Sequence, residues 1–143
     1  MHKIFGTKEN VEYFHRAGAY LIPIRDGKVG VIETAKGLFF IGGGVDAGET
    51  DEKCILRECL EETGYSAQVT GRVCSAESYG KHPQVGYFHP IQTYYLGTLG
   101  EQKQAPAEED HRLVWMEYPT LRGKMHSEMQ NWALEQCREH REN

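Results

Sequence analysis

The sequence has no CxxC pair, no block of basic residues and no long apolar run, and each gap removes a class of protein. Cys54, Cys59, Cys74 and Cys137 lack the spacing of a structural zinc site and read as reduced, small apolar residues. With 16 Lys and Arg against 21 Asp and Glu, a formal charge of -5, there is no cationic footprint for duplex nucleic acid. The opening MHKIFGTKEN carries no signal-like apolar stretch, and no later run approaches bilayer-spanning length. The expectation is a cytoplasmic protein with no membrane partner.

What is present suits one domain spanning 1–143. The chain is 39% hydrophobic and 26% charged, and at this length it buries about two-thirds of its extended surface without a disulfide or metal staple. Residues 17–24 and 28–34 read as strands separated by Arg25-Asp26-Gly27, a hairpin. Residues 38–41 make a third short strand before Gly42, Gly43 and Gly44. Residues 65–76 and 87–99 read as a longer hairpin, and 112–117 as a last strand.

Two segments have helical period. Thr50 can cap a helix over 51–63, Asp51 and Glu52 suit its first turn, and Gly64 stands where it would stop. Ile55, Leu56, Cys59 and Leu60 form its apolar stripe, with Glu58, Glu61 and Glu62 beside it. Met129, Trp132, Ala133, Leu134 and Cys137 give 127–138 a similar face, suited to covering one side of a sheet. Strands with two helices predict an α/β or α+β sandwich.

Residues at i, i+3 and i+4 share one side of a helix, so Glu58, Glu61 and Glu62 can present carboxylates to one small volume. Glu58 and Glu62 repel each other by about 0.2–0.5 kcal/mol when exposed, and a divalent cation converts that repulsion into ligation. Mg²⁺ and Mn²⁺ both accept such oxygen donors. Glu49 lies before the helix and Arg57 within it, placed to pin the intervening loop as an ion pair. Gly43 and Gly48 permit the tight bending that such a loop needs.

Gly43, Glu49, Arg57, Glu58, Cys59, Glu61, Glu62, Gly64 and Tyr65 together resemble the signature box of the Nudix hydrolase family, with Cys59 and Tyr65 at its apolar positions. The resemblance implies a Nudix-like α/β/α sandwich with a mixed central sheet. It also implies hydrolysis of a nucleoside diphosphate linked to another group, X, with Mg²⁺ or Mn²⁺ as cofactor. The carry-over lands on the carboxylates of Glu58, Glu61 and Glu62 and the backbone carbonyl of Gly42 as metal ligands. Arg57 and Glu49 become the orienting pair. Family members often recruit a further carboxylate from a later loop, for which Glu109 is favoured over Glu108; Glu61 and Glu62 are the other candidates for the base.

Arg16, Lys81 and His82 are candidates for phosphate contacts, and Tyr79, Tyr87 or Phe88 for stacking on a base. His126 suits either the ligand mouth or a helix start, while Trp115 and Trp132 suit the core. The family usually places Pro before the Gly-Gly pair, where this chain has Ile41. Its ADP-ribose hydrolases often carry Pro beyond the box where Gly80 and Lys81 stand, with Pro83 out of register. The expected partner is a nucleotide-derived small molecule, and homodimer formation is a family-level expectation. The alternative is a noncatalytic nucleotide-binding module on the same fold.

Overall fold

The computed structural model describes residues 1–142. The chain opens with β1 (His2–Phe5), which pairs by backbone hydrogen bonds despite its polar surroundings. β2 (Phe14–Arg25) and β3 (Lys28–Thr34) follow as the expected hairpin. Asp26 and Gly27 take φ of 52° and 77°, as a two-residue turn requires if its twist is to match its strands.

The apolar stretch at 38–41 divides into β4 (Gly37–Phe39) and β5 (Ile41–Gly44). The three glycines are therefore strand residues. Gly42, Gly43 and Gly44 pair with Tyr20, Ala19 and Gly18 of β2. Ile41, in the position of the family's usual proline, is fully buried and pairs with Leu21.

α1 (Asp51–Thr63) begins and ends where its capping residues dictate. The Thr50 hydroxyl accepts from the Lys53 N–H at 3.2 Å, and Gly64, at φ 79°, returns its N–H to the Leu60 carbonyl. Its buried stripe is Cys54, Ile55, Cys59, Glu62 and Thr63, while Leu56 is 36% exposed, contrary to the expected stripe. Positions 55, 59 and 62 stack along one helix side and Leu56 is turned away from it. That geometry carries Glu62 into the apolar seam.

The remaining elements are β6 (Tyr65–Ser78), β7 (Gly80–His82), β8 (Gly86–Gln102), β9 (Arg112–Glu117), α2 (Tyr118–Leu121) and α3 (Glu128–Glu142). Strand order is β1-β6-β8-β2-β3-β4, with β5 on β2, β7 on β8 and β9 on β3. The β1/β6 and β2/β8 pairs are parallel and the other pairs antiparallel, so the sheet is mixed.

Alternation along β2 separates two cores. Ala19 and Leu21 pack with Ile41 and with Cys54, Ile55 and Cys59 of α1. Ile22 packs on the other face with Phe40, Tyr94 and, from α3, Met129, Ala133, Leu134 and Cys137. The result is the expected α/β/α sandwich. All four cysteines are free and buried. No helix among the described residues is long and apolar enough to cross a membrane.

Candidate active site

The loop before α1 is organised by one arginine. Arg57 donates from Nε and Nη2 to the two oxygens of Glu49, at 2.7 and 3.0 Å. Its Nη2 also reaches the Gly44 carbonyl at 3.2 Å, and Nη1 reaches Glu58 Oε1 at 3.0 Å. Glu49 in turn accepts the Asp46 N–H at 2.9 Å. The Arg57 hydrogen bonds, reinforced by the Asp46 N–H, hold the Glu49 carboxyl down at about 2. The expected pair is thus present as a bidentate fork that fixes the loop, the end of β5 and one oxygen of Glu58 together.

A lysine supplies the charge but not the fork. Arg57→Lys is expected to lower kcat roughly 10- to 100-fold with little loss of helicity, because it loosens the group that orients Glu58. Circular dichroism and steady-state kinetics check this; unchanged kcat would contradict it.

Glu58 and Glu62 stand one turn apart where α1 meets β5. Gly43 leaves room for the Glu58 carboxylate, since a Cβ there would lie 2.8 Å from Glu58 Oε1. Glu62 Oε1 accepts the Gly42 N–H at 2.9 Å, and its Oε2 lies 3.4 Å from His111 Nδ1. Burial pushes the Glu62 carboxyl up to about 8, with Glu58, Glu108 and Glu61 adding to the rise and the Gly42 N–H opposing it. Burial also raises Glu58, against the pull of Arg57. Glu61 is more open, its side chain 42% exposed, and lies 3.5 Å from Arg57 Nη1.

The loop after β8 closes over the C-terminal end of α1. The Lys103 N–H bonds the Gly64 carbonyl at 2.7 Å and the Ala107 N–H bonds the Glu61 carbonyl at 2.8 Å, satisfying helix-end acceptors. Glu108, its side chain 42% exposed, then meets His111. Glu108 Oε2 lies 3.1 Å from His111 Nε2, and its charge reaches Glu58 and Glu62. Glu109, the expected loop carboxylate, is exposed, so the loop anchor at Ala107 brings its neighbour Glu108 to the site instead.

A cavity of about 360 Å³ opens beside these groups, lined by Tyr20, Phe39, Gly42, Glu62, Asp110 and His111 among others. The buried His111 Nδ1 has no hydrogen-bond partner among the described residues. Tyr20, Phe39 and His111 escaped the sequence reading. His111 directly follows the acidic run Glu108-Glu109-Asp110, the signal that could have flagged it.

The other candidates divide clearly. His126 tilts against Phe39, a cavity residue, at 5.1 Å between ring centres. Tyr79 stacks on His89 at 4.2 Å, Tyr87 packs edge-on against Tyr13, and the Lys81 ammonium sits over the Tyr87 ring. His82 meets Phe88 edge-on. Trp115 lies under the Arg25 guanidinium, and Trp132 packs against Phe5.

The donor set suits a hard divalent cation. Glu58, Glu61 and Glu62 offer carboxylates along one side of α1, Glu62 is buried with no Lys or Arg partner among the described residues, and beside it Glu108, Asp110 and His111 bring ligand atoms within 4.8 Å of one another. A buried carboxylate without such a partner must either hold a proton or meet a cation. Gly42 enters this geometry through its N–H to Glu62; the sequence expectation concerned its carbonyl.

Comparison with known proteins gives a consistent picture. The family model described as NUDIX domain matches residues 14–136. A curated relative, a putative 8-oxo-dGTP diphosphatase from Bacillus subtilis (strain 168), is 34% identical over 76 residues, covering 52% of this chain and 46% of that protein. The match therefore spans about half the length of that relative. A MutT NUDIX hydrolase from Burkholderia pseudomallei superposes with a TM-score of 0.72 at 24% identity, covering 86% of this chain and 98% of the other. A NUDIX hydrolase from Nitrosomonas europaea gives 0.73 at 18% identity over 87% and 89%. At these identities the likeness is one of fold.

Proposed function

We propose, from the premise that this chain belongs to the NUDIX domain family, that it is a divalent-metal-dependent hydrolase of nucleoside diphosphates linked to a further group X. The observation that carries this reading is the buried Glu62, one helical turn from the half-buried Glu58, at the edge of a cavity of about 360 Å³, with no Lys or Arg on Glu62 among the described residues.

Glu58, Glu61 and Glu62 are the residues that would hold Mg²⁺ or Mn²⁺, with Glu108 as the loop carboxylate in reach. Such an ion, when bound, neutralises phosphoryl oxygens and acidifies water. The chain's own groups set the geometry. Arg57 holds Glu58 through Oε1, which leaves its other oxygen toward the site, and the Gly42 N–H does the same for Glu62. The reaction consumes one water and breaks one P–O bond of the pyrophosphate. Tyr20 and Phe39 supply aromatic surface in the cavity, suited to a nucleobase.

The test is a product panel with purified protein and Mg²⁺ or Mn²⁺. It includes nucleoside triphosphates, 8-oxo-dGTP (prompted by the Bacillus subtilis relative), dinucleoside polyphosphates, nucleotide sugars and ADP-ribose. Metal-dependent release of a nucleotide supports the reading. Tight nucleotide binding with no turnover across the panel would contradict it and favour the noncatalytic module.

A further inference from the structure

A second cavity, of about 190 Å³, lies along β2 and β8, and Tyr20 lines both it and the larger one. Its residues include Arg16, Gly18 and Tyr20 from β2, Phe88, Pro90 and Gln92 from β8, and Gly44 from β5. Alternation places the β2 members on the sheet face away from α1. Gly18 and Gly44 are register partners, so the floor is bare backbone.

Two side chains use that floor. A Cβ on Gly44 would meet Arg16 Nη2 at 2.0 Å, and one on Gly18 would lie 3.1 Å from Tyr20 Cε2. The guanidinium therefore rests across Gly44, the residue next to the Gly43 that admits Glu58. No carboxylate among the described residues pairs with Arg16. The Tyr20 hydroxyl links the two regions electrostatically: burial, Glu62 and Glu58 push it up to about 12, and Arg16 pulls the other way.

An exposed guanidinium with no carboxylate partner among the described residues, resting on a glycine floor beside a small cavity and one residue along β5 from the Gly43 that lies against Glu58, fits a phosphoryl group by charge and by its planar fork. We propose that this cradle receives an anionic phosphoryl group of X through Arg16. The preferred substrate class is then one with a phosphate beyond the scissile linkage, such as a nucleoside triphosphate, over a nucleotide sugar with a neutral X. This rests on the hydrolase reading above.

The test compares wild type, Arg16→Gln, Arg16→Lys and Gly44→Ala on a nucleoside triphosphate and a nucleotide sugar of the same base. The ratio of kcat/KM, triphosphate over sugar, is expected to fall about 30-fold in Arg16→Gln, through KM, and to recover in part in Arg16→Lys. Gly44→Ala, which displaces the guanidinium without removing its charge, is expected to lower the same ratio. A ratio unchanged in both Arg16→Gln and Gly44→Ala overturns the proposal while leaving the hydrolase reading standing. If wild type cleaves nothing in the panel, the hydrolase reading fails by itself. Calorimetric titration with Mg²⁺ and inorganic tripolyphosphate then decides the cradle: weaker binding by Arg16→Gln supports it, and equal binding overturns it.

Discussion

Glu62→Gln is expected to lower kcat on the order of 100- to 1000-fold with the fold intact, the scale seen when one charge-stabilising group is removed from a reacting centre. The amide keeps an oxygen for the Gly42 N–H, so the bond that fixes the side chain survives. What is lost is a carboxylate that a cation can draw into its charged form at a buried position, where burial, Glu58 and Glu108 otherwise favour the protonated one. Glu61→Gln, at a 42% exposed side chain, is expected to cost less. Glu108→Gln is expected to cost more than Glu109→Gln, since the first sits against His111 and the second is exposed. Kinetics with circular dichroism on the four variants check the order; full activity in Glu62→Gln would contradict the assignment.

The second large effect is on stability. The Glu62 carboxyl is raised to about 8 in the folded metal-free protein, well above its unfolded value. In that window the folded state binds more protons than the unfolded one, so the stability this group contributes is present below the unfolded pKa and lost as pH rises through 8. Glu58 shifts in the same direction. Glu49, held down at about 2, acts oppositely and only in more acidic solution. The metal-free protein is therefore expected to lose on the order of 5 °C in Tm relative to Glu62→Gln between pH 5 and 8. Saturating Mg²⁺ should recover the loss in wild type and not in the variant. Parallel wild-type and Glu62→Gln curves without Mg²⁺, or a wild-type loss that persists in saturating Mg²⁺, would contradict this.

Much of this architecture is legible where one local signal decides the structure. Thr50 and Gly64 bound α1 because cap chemistry is local, and Asp26-Gly27 makes its turn for the same reason. The Glu49 and Arg57 pair is spaced so that only loop closure remains to join it. Other features depend on partners distant in sequence. β1 becomes a strand through β6, and the glycines at 42–44 become one through β2. The choice of Glu108 over Glu109 follows from the Ala107 N–H finding the Glu61 carbonyl, which no periodicity in an irregular loop encodes. Leu56 read as core because it is apolar, whereas helix phase put Glu62 in line with Ile55 and Cys59. The cavity walls combine β2, β4, α1 and the loop before β9, so Tyr20, Phe39 and His111 converge only in the folded chain.

Mn²⁺ titration followed by electron paramagnetic resonance, on wild type and on the Glu58→Gln, Glu62→Gln double variant, addresses the carboxylate pair directly. Saturable binding by the wild type, tightening as pH rises toward 8 and lost in the double variant, is the expected result. Equal Mn²⁺ binding by both proteins would place any ion elsewhere and contradict a metal centre on α1.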